Sequence, residues 1–90
     1  ELAQLFAVIE GRKANPVEGS YTTELFRDGV DRIAQKVVEE AGESAIAGVR
    51  GDPDRIASEI ADMLYHTLVL ISATELSPDV VWTELRARRG

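Results

Sequence analysis

Apolar positions recur with helical spacing along nearly the whole chain. Leu2, Leu5, Phe6 and Ile9 fall at i, i+3, i+4 and i+7, which predicts an amphipathic helix over Leu2 to Lys13. Asn15-Pro16 and Gly19-Ser20 then punctuate rather than propagate, so this stretch reads as a loop. Ser20, Thr22 and Thr23 each suit the capping position of a following helix. From about Thr23 to Val49 the residues Leu25, Phe26, Val30, Ile33, Val37, Ala41, Ala45 and Val49 keep one helical register. Gly29 interrupts that register, and an interior glycine costs about 1 kcal/mol relative to alanine. A kink or a close backbone approach is expected there.

Gly51, Asp52 and Pro53 form a stop-and-restart signal: a left-handed cap, an N-cap and a proline at the first helical position. With Arg50 they spell Arg-Gly-Asp, but capping accounts for each residue better than a cell-adhesion motif does. The third helix, Pro53 to about Thr74, is apolar around most of its circumference, which marks a helix buried on several sides. Ser77-Pro78 repeats the cap-plus-proline start before a last helix from Asp79 to Arg89. No strand signal, internal repeat or low-complexity segment interrupts this pattern.

Loops this short favour antiparallel neighbours, so the expected fold is all-α, a small bundle of four main helices in one domain spanning residues 1–90. A chain of 90 residues buries only about 60–65% of the surface its unfolded form exposes. Four helices cover the greasy third helix poorly, and a helical homodimer is the natural completion.

Composition narrows the function classes. A net charge of −6 argues against a general nucleic-acid binder, since phosphate backbones reward clustered Lys and Arg. Arg86, Arg88 and Arg89 form the one local basic excess, and they complement the dipole of the last helix. The chain has no cysteine, which excludes disulfides and thiolate metal sites and fits a cytoplasmic protein. Met63 to Ala73 is apolar but short and interrupted by Tyr65, His66, Thr67 and Ser72, so no membrane span and no leader is expected.

The chemistry concentrates in two acidic clusters. Lys36, Glu40 and Glu43 share one narrow helical stripe, with Glu39 at its edge; Glu59, Asp62 and His66 share another. If the stripes face each other, several carboxylates converge. Unit charges about 5 Å apart at an effective dielectric near 20 repel by about 3 kcal/mol per pair. A cation relieves that repulsion, and an all-oxygen ligand set suits Mg²⁺ or Mn²⁺. Glutamates at helical spacing ordinarily form only a solvated face, and Lys36–Glu40 or Arg55–Glu59 could be simple ion pairs. The second cluster tips the balance, because Glu59 and Asp62 sit on an otherwise apolar helix where lone carboxylates are costly.

Around the clusters, His66 is either a satisfied core histidine or a contact to ligand or substrate. Arg32 and Lys36, one turn apart, could grip phosphate oxygens or serve as ordinary surface charge. Trp82 reads as a core or interface residue. Elbow-type serine nucleophiles and phosphate-binding glycine loops are absent. Hydrolysis by a metal-activated water is what the residue set permits.

Ser20-Tyr21-Thr22, the run from Gly29 through Arg32, Lys36, Glu39 and Glu40 to Glu43, and Glu59-Ile-Ala-Asp62-Met-Leu-Tyr65-His66 together resemble the phosphoribosyl-ATP pyrophosphohydrolases. That family belongs to the all-α, MazG-like NTP pyrophosphatases, whose ExxE…ExxD metal signature is filled here by Glu40, Glu43, Glu59 and Asp62. The resemblance covers nearly the whole chain. Ser-Tyr-Thr, Lys36 and the Tyr65-His66 pair point to the phosphoribosyl-ATP branch, while Gly42 stands where many relatives carry a bulkier apolar residue.

The resemblance implies hydrolysis of phosphoribosyl-ATP to phosphoribosyl-AMP and pyrophosphate, the second step of histidine biosynthesis. It implies Mg²⁺, or Mn²⁺, on Glu40, Glu43, Glu59 and Asp62, with Glu39 either the base or a further ligand and Lys36 offsetting pyrophosphate charge. Ser20, Tyr21, Thr22, Arg32, Lys36, Tyr65 and His66 are then the substrate contacts. The short connection between the clusters fits a compact member without a fused cyclohydrolase, and a separate cyclohydrolase is one candidate partner. Two other readings stay open: a housecleaning (d)NTP pyrophosphatase of the same fold, and a non-catalytic helical interaction module.

Overall fold

The computed structural model describes residues 1–89 and consists of five helices with no strand among them. They are α1 (Leu2–Ala14), α2 (Tyr21–Asp28), α3 (Val30–Arg50), α4 (Pro53–Ala73) and α5 (Pro78–Arg88). The all-α expectation holds. The long second stretch, however, is two helices rather than one helix with a kink. Gly29 adopts φ 99°, ψ 175°, a backbone state that only glycine takes without strain. Its N–H closes α2 on the Leu25 carbonyl at 3.1 Å, and its own carbonyl accepts from Ile33 N–H at 3.1 Å to open α3. Apolar spacing runs straight through this break, which is why periodicity alone misses it.

The caps are those the sequence spells out. Ser20 Oγ accepts from Thr23 N–H at 3.2 Å to start α2, and Asp52 Oδ1 accepts from Asp54 N–H at 3.1 Å to start α4. Ser77 Oγ does the same for Asp79 N–H at 3.2 Å, and Gly51 ends α3 in the left-handed conformation at φ 75°.

Helices α3 and α4, joined by only Gly51 and Asp52, form the long pair on which α1 and α2 are laid. Ile9 of α1, Leu25 of α2, Ile33 of α3 and Leu68, Val69 and Ile71 of α4 make the core, with Phe6, Phe26 and Tyr65 packed against it. The core thus lies at the end of the pair formed by the start of α3 and the end of α4, opposite the Gly51-Asp52 turn. Helix α5 adds Val81 to the core edge, while its Pro78 and Trp82 line a recess with Leu2 and Phe6.

By length and composition α4 could also cross a bilayer, with a mean hydropathy of 1.3 over its best window. Here it is the central helix of the bundle, packed against α3, α1 and α2. Its outer face is not covered by the described residues: Ile60 and Leu64 are exposed, as are Val38, Ile46 and Val49 on α3.

Candidate metal centre

On α3 the residues turned toward α4 are Ile33, Glu40, Ser44 and Ala47, spaced by seven, four and three. An apolar register thus passes through a glutamate and a serine at its middle. Glu40 is only 7% exposed, which is unusual for a carboxylate without a cation against it. One turn further on lies Glu43, and Glu59 faces both from α4. Single carboxylate oxygens of Glu40, Glu43 and Glu59 all lie within 4.8 Å of one another.

Each buried carboxylate of this group is half satisfied. Glu40 Oε2 pairs with Lys36 Nζ at 3.6 Å, and Glu59 Oε2 with Arg55 Nη2 at 3.2 Å. The Oε1 atoms of both are buried with no hydrogen-bond partner among the described residues, and so is Ser44 Oγ. Buried carboxylate oxygens without partners are costly. An oxygen-liganded divalent cation satisfies them in a single step, so the donor set fits Mg²⁺ or Mn²⁺. The electrostatics agree. Burial and the nearby charges of Glu43 and Glu40 raise the pKa of Glu59 above the ordinary value, although Arg55 pulls the other way.

Lys36 borders the cluster on the side of α2. It also reaches Glu39 Oε1 at 3.4 Å, while Gln35 Nε2 donates to the other oxygen of Glu39 at 3.2 Å. Burial pulls the Lys36 pKa down, but Tyr21, the hydrogen bond to Glu39 and the charges of Glu39 and Glu40 outweigh it. The net shift is upward, so Lys36 is a fixed cation at neutral pH.

A polar chain continues from there toward the core. Tyr21 hydroxyl meets His66 Nε2 at 2.9 Å, and His66 Nδ1 lies 2.8 Å from the Asp62 carbonyl. A carbonyl only accepts, so Nδ1 carries the proton, and in the neutral ring Nε2 accepts from Tyr21. Tyr65 stands edge-on to the His66 ring at 5.3 Å between centroids and shares a hydrogen bond with Thr22. Burial, then Tyr21, raises the Tyr65 hydroxyl above its ordinary pKa, with Arg12 opposing. The Ser-Tyr-Thr entry of α2 is thereby fixed onto α4.

The structure sorts the sequence-predicted residues. It brings Glu40, Glu43 and Glu59 together, sets Lys36 and Glu39 beside them, and joins Tyr21, Thr22, Tyr65 and His66 into one cluster. Asp62 stands one turn beyond Glu59 but exposed, outside the three-carboxylate group. Ser20 acts as the α2 cap. Arg32 is exposed, with no side-chain hydrogen bond or ion pair among the described residues. Sequence reading missed Ser44, whose one signal is its place four residues after Glu40 on the inward stripe.

Comparison with known proteins gives the family. The family profile described as phosphoribosyl-ATP pyrophosphohydrolase matches residues 2–89. The phosphoribosyl-ATP pyrophosphatase of Azospirillum brasilense is 48% identical over 89 residues, 99% of this chain and 80% of that protein. The enzyme of the same name from Geotalea daltonii is 46% identical, covering 99% of this chain and 84% of its own length. A histidine biosynthesis bifunctional protein of Caldanaerobacter subterraneus is 44% identical over 97% of this chain, which spans 42% of that longer protein. Matched over all but its terminal residues and at this identity, the chain belongs to the phosphoribosyl-ATP pyrophosphohydrolase family.

Proposed function

We propose that this protein hydrolyses phosphoribosyl-ATP to phosphoribosyl-AMP and pyrophosphate, a step of histidine biosynthesis. Family membership supports the substrate. The observation that supports the chemistry is the trio Glu40, Glu43 and Glu59, within 4.8 Å and holding two buried, unpartnered carboxylate oxygens.

In this reading Glu40, Glu43 and Glu59 hold a divalent cation, Mg²⁺ or Mn²⁺, and Asp62 completes the set from the next turn of α4. The ion would neutralise the triphosphate and acidify an attacking water at the α–β linkage. The rest falls to the chain itself. Glu39, anchored by Lys36 and Gln35, is placed to take the proton of the water or to serve as a further ligand. Substituting Glu39 by Gln separates the two roles: turnover lost with metal affinity kept identifies the base, and lost affinity identifies the ligand. Lys36 holds Glu39 and Glu40 before substrate binds and offsets the charge of departing pyrophosphate. Tyr21, Thr22, Tyr65 and His66 form the wall on which the nucleoside rests, with Ser20 capping the helix that presents it.

The exposed apolar residues of α3 and α4, Val38, Ile46, Val49, Ile60 and Leu64, favour a homodimer that covers them. We place the enzyme in the cytoplasm, beside a cyclohydrolase that consumes its product.

The test is pyrophosphate release from phosphoribosyl-ATP, with and without Mg²⁺, against a panel of NTPs and dNTPs. Fast Mg²⁺-dependent turnover of phosphoribosyl-ATP alone is expected. Turnover of the ordinary nucleotides instead would keep the metal centre and discard the substrate; no turnover of anything would leave an interaction module.

A further inference from the structure

A second charged feature lies at the sealed end of the α3–α4 pair, about two helical turns from the carboxylate trio. The C-terminal ends of α1 and α2, the start of α3 and the end of α4 enclose a cleft of about 440 Å³. Its floor is apolar, from Phe26, Val30 and Ile33, and its walls carry Arg12, Lys13 and Arg27. Three cations on one cleft stand out in a chain whose net charge is −6.

Placement in the last turns of α1 and α2 explains each cation singly, through the helix dipole. It does not explain why cations from two different helices converge on one concavity. Nor are the three equivalent. Lys13 is spent within the protein, donating to the Ser72 carbonyl at 2.7 Å and to Glu75 Oε2 at 3.1 Å. Arg12 and Arg27 make no ion pair among the described residues. Two unpaired guanidiniums over an apolar floor form a receptor for a phosphate carried on an organic group, because the planar fork matches phosphate oxygens.

The cleft is also in line with the metal centre. Ile33, in its floor, and Glu40, in the carboxylate trio, lie on the same face of α3, two helical turns or about 10 Å apart. Between them runs the cluster of Thr22, Tyr65, His66 and Tyr21. Phosphoribosyl-ATP has a matching layout: a triphosphate at one end, a ribose 5-phosphate at the other, and a purine with its sugars between. We propose that the Arg12–Arg27 cleft binds the ribose 5-phosphate end of the substrate while the carboxylate centre holds the triphosphate end. The inference rests on the proposed activity and deepens it, since it gives the site a means to tell phosphoribosyl-ATP from ATP.

Arg27 is exposed, so its substitution spares the fold. Steady-state kinetics on phosphoribosyl-ATP with Arg27→Gln and Arg12→Gln are expected to show KM raised about tenfold to a hundredfold, the loss of one charge-assisted contact. The kcat should change little, and Arg27→Lys should restore part of the loss. In parallel, ribose 5-phosphate titrated into the wild-type protein should shift the backbone amide resonances of Val30 and Ile33 saturably, and the shifts should vanish in Arg27→Gln. Unchanged KM in both variants with an active wild type would overturn the inference and leave the activity standing. A wild type inactive on phosphoribosyl-ATP would remove the activity itself. The ribose 5-phosphate titration then reads the cleft alone: saturable, Arg27-dependent shifts support a sugar-phosphate site, and no shifts overturn it.

Discussion

The two ends of the α3–α4 pair are built on opposite terms. At one end, α1 and α2 seal the pair: Ile33 and Val69 are fully buried, and Leu68 and Ile71 nearly so. At the other end little is covered. Ala47 is buried, but Ile46 and Ile60 are exposed and Val49 is 90% exposed. The carboxylate trio sits at the border between them. Folding free energy is concentrated at the sealed end, where apolar area is removed from water. That packing fixes α3 against α4 and so tolerates three like charges within 4.8 Å about two turns further along. Stability and chemistry occupy different segments of the same two helices, and each should be removable without the other.

Glu40→Gln should separate them most sharply. Turnover is expected to fall about a hundredfold to thousandfold, because a charge facing the developing transition state is lost. The urea midpoint measured in chelator should hold or rise, since a buried like charge has gone. A midpoint that fell by as much as the activity would mean that Glu40 is a structural ion pair with Lys36.

Ile33→Ala reverses the pattern. It should cost about 2–5 kcal/mol in denaturant titrations, a large share of the stability of so small a domain, while turnover per folded molecule is kept. Val49→Ala at the open end should cost less than about 0.5 kcal/mol in the monomer, which checks the contrast directly.

A smaller effect follows from Glu59. Its folded pKa lies above the ordinary 4.5, so its contribution to stability is fully present below that value and is lost as pH rises through the folded pKa. Without metal, thermal melts should therefore show the wild type losing stability relative to Glu59→Gln as pH climbs from about 4.5 toward neutrality. Saturating Mg²⁺ should reverse the trend, because the ion favours the charged carboxylate. The least effect is at the α2 cap: Ser20→Ala should cost about 1 kcal/mol and Ser20→Gly only a few tenths, by the same denaturant assay.

Most helix starts, at both ends of the pair, were legible in the sequence. Leu2, Leu5, Phe6 and Ile9 announce α1, and Ser20, Asp52-Pro53 and Ser77-Pro78 mark three helix starts that the structure uses. The break at Gly29 was not legible as a break. Phe26, Val30 and Ile33 hold one register across it, and only the backbone angle of 99° reveals two helices. Within the site, Glu40, Glu43 and Glu59 were readable because helical spacing aligns them and the apolar setting of Glu59 makes a carboxylate there costly. The contacts of Tyr21 with His66 and of Thr22 with Tyr65 join residues 45 and 43 positions apart, beyond the reach of any local pattern. Arg12 and Arg27 stayed hidden for another reason: each looks like an ordinary helix-end cation until the fold brings both to one cleft.

The carboxylate trio as a metal centre is the central claim, and Mn²⁺ binding followed by electron paramagnetic resonance reads it without substrate or turnover. Titration of Mn²⁺ into the wild-type protein should suppress the free-ion signal saturably, and Glu59→Gln should weaken that binding at least about tenfold. A free-ion signal unaffected by the wild-type protein, or equal binding by wild type and Glu59→Gln, would contradict the account.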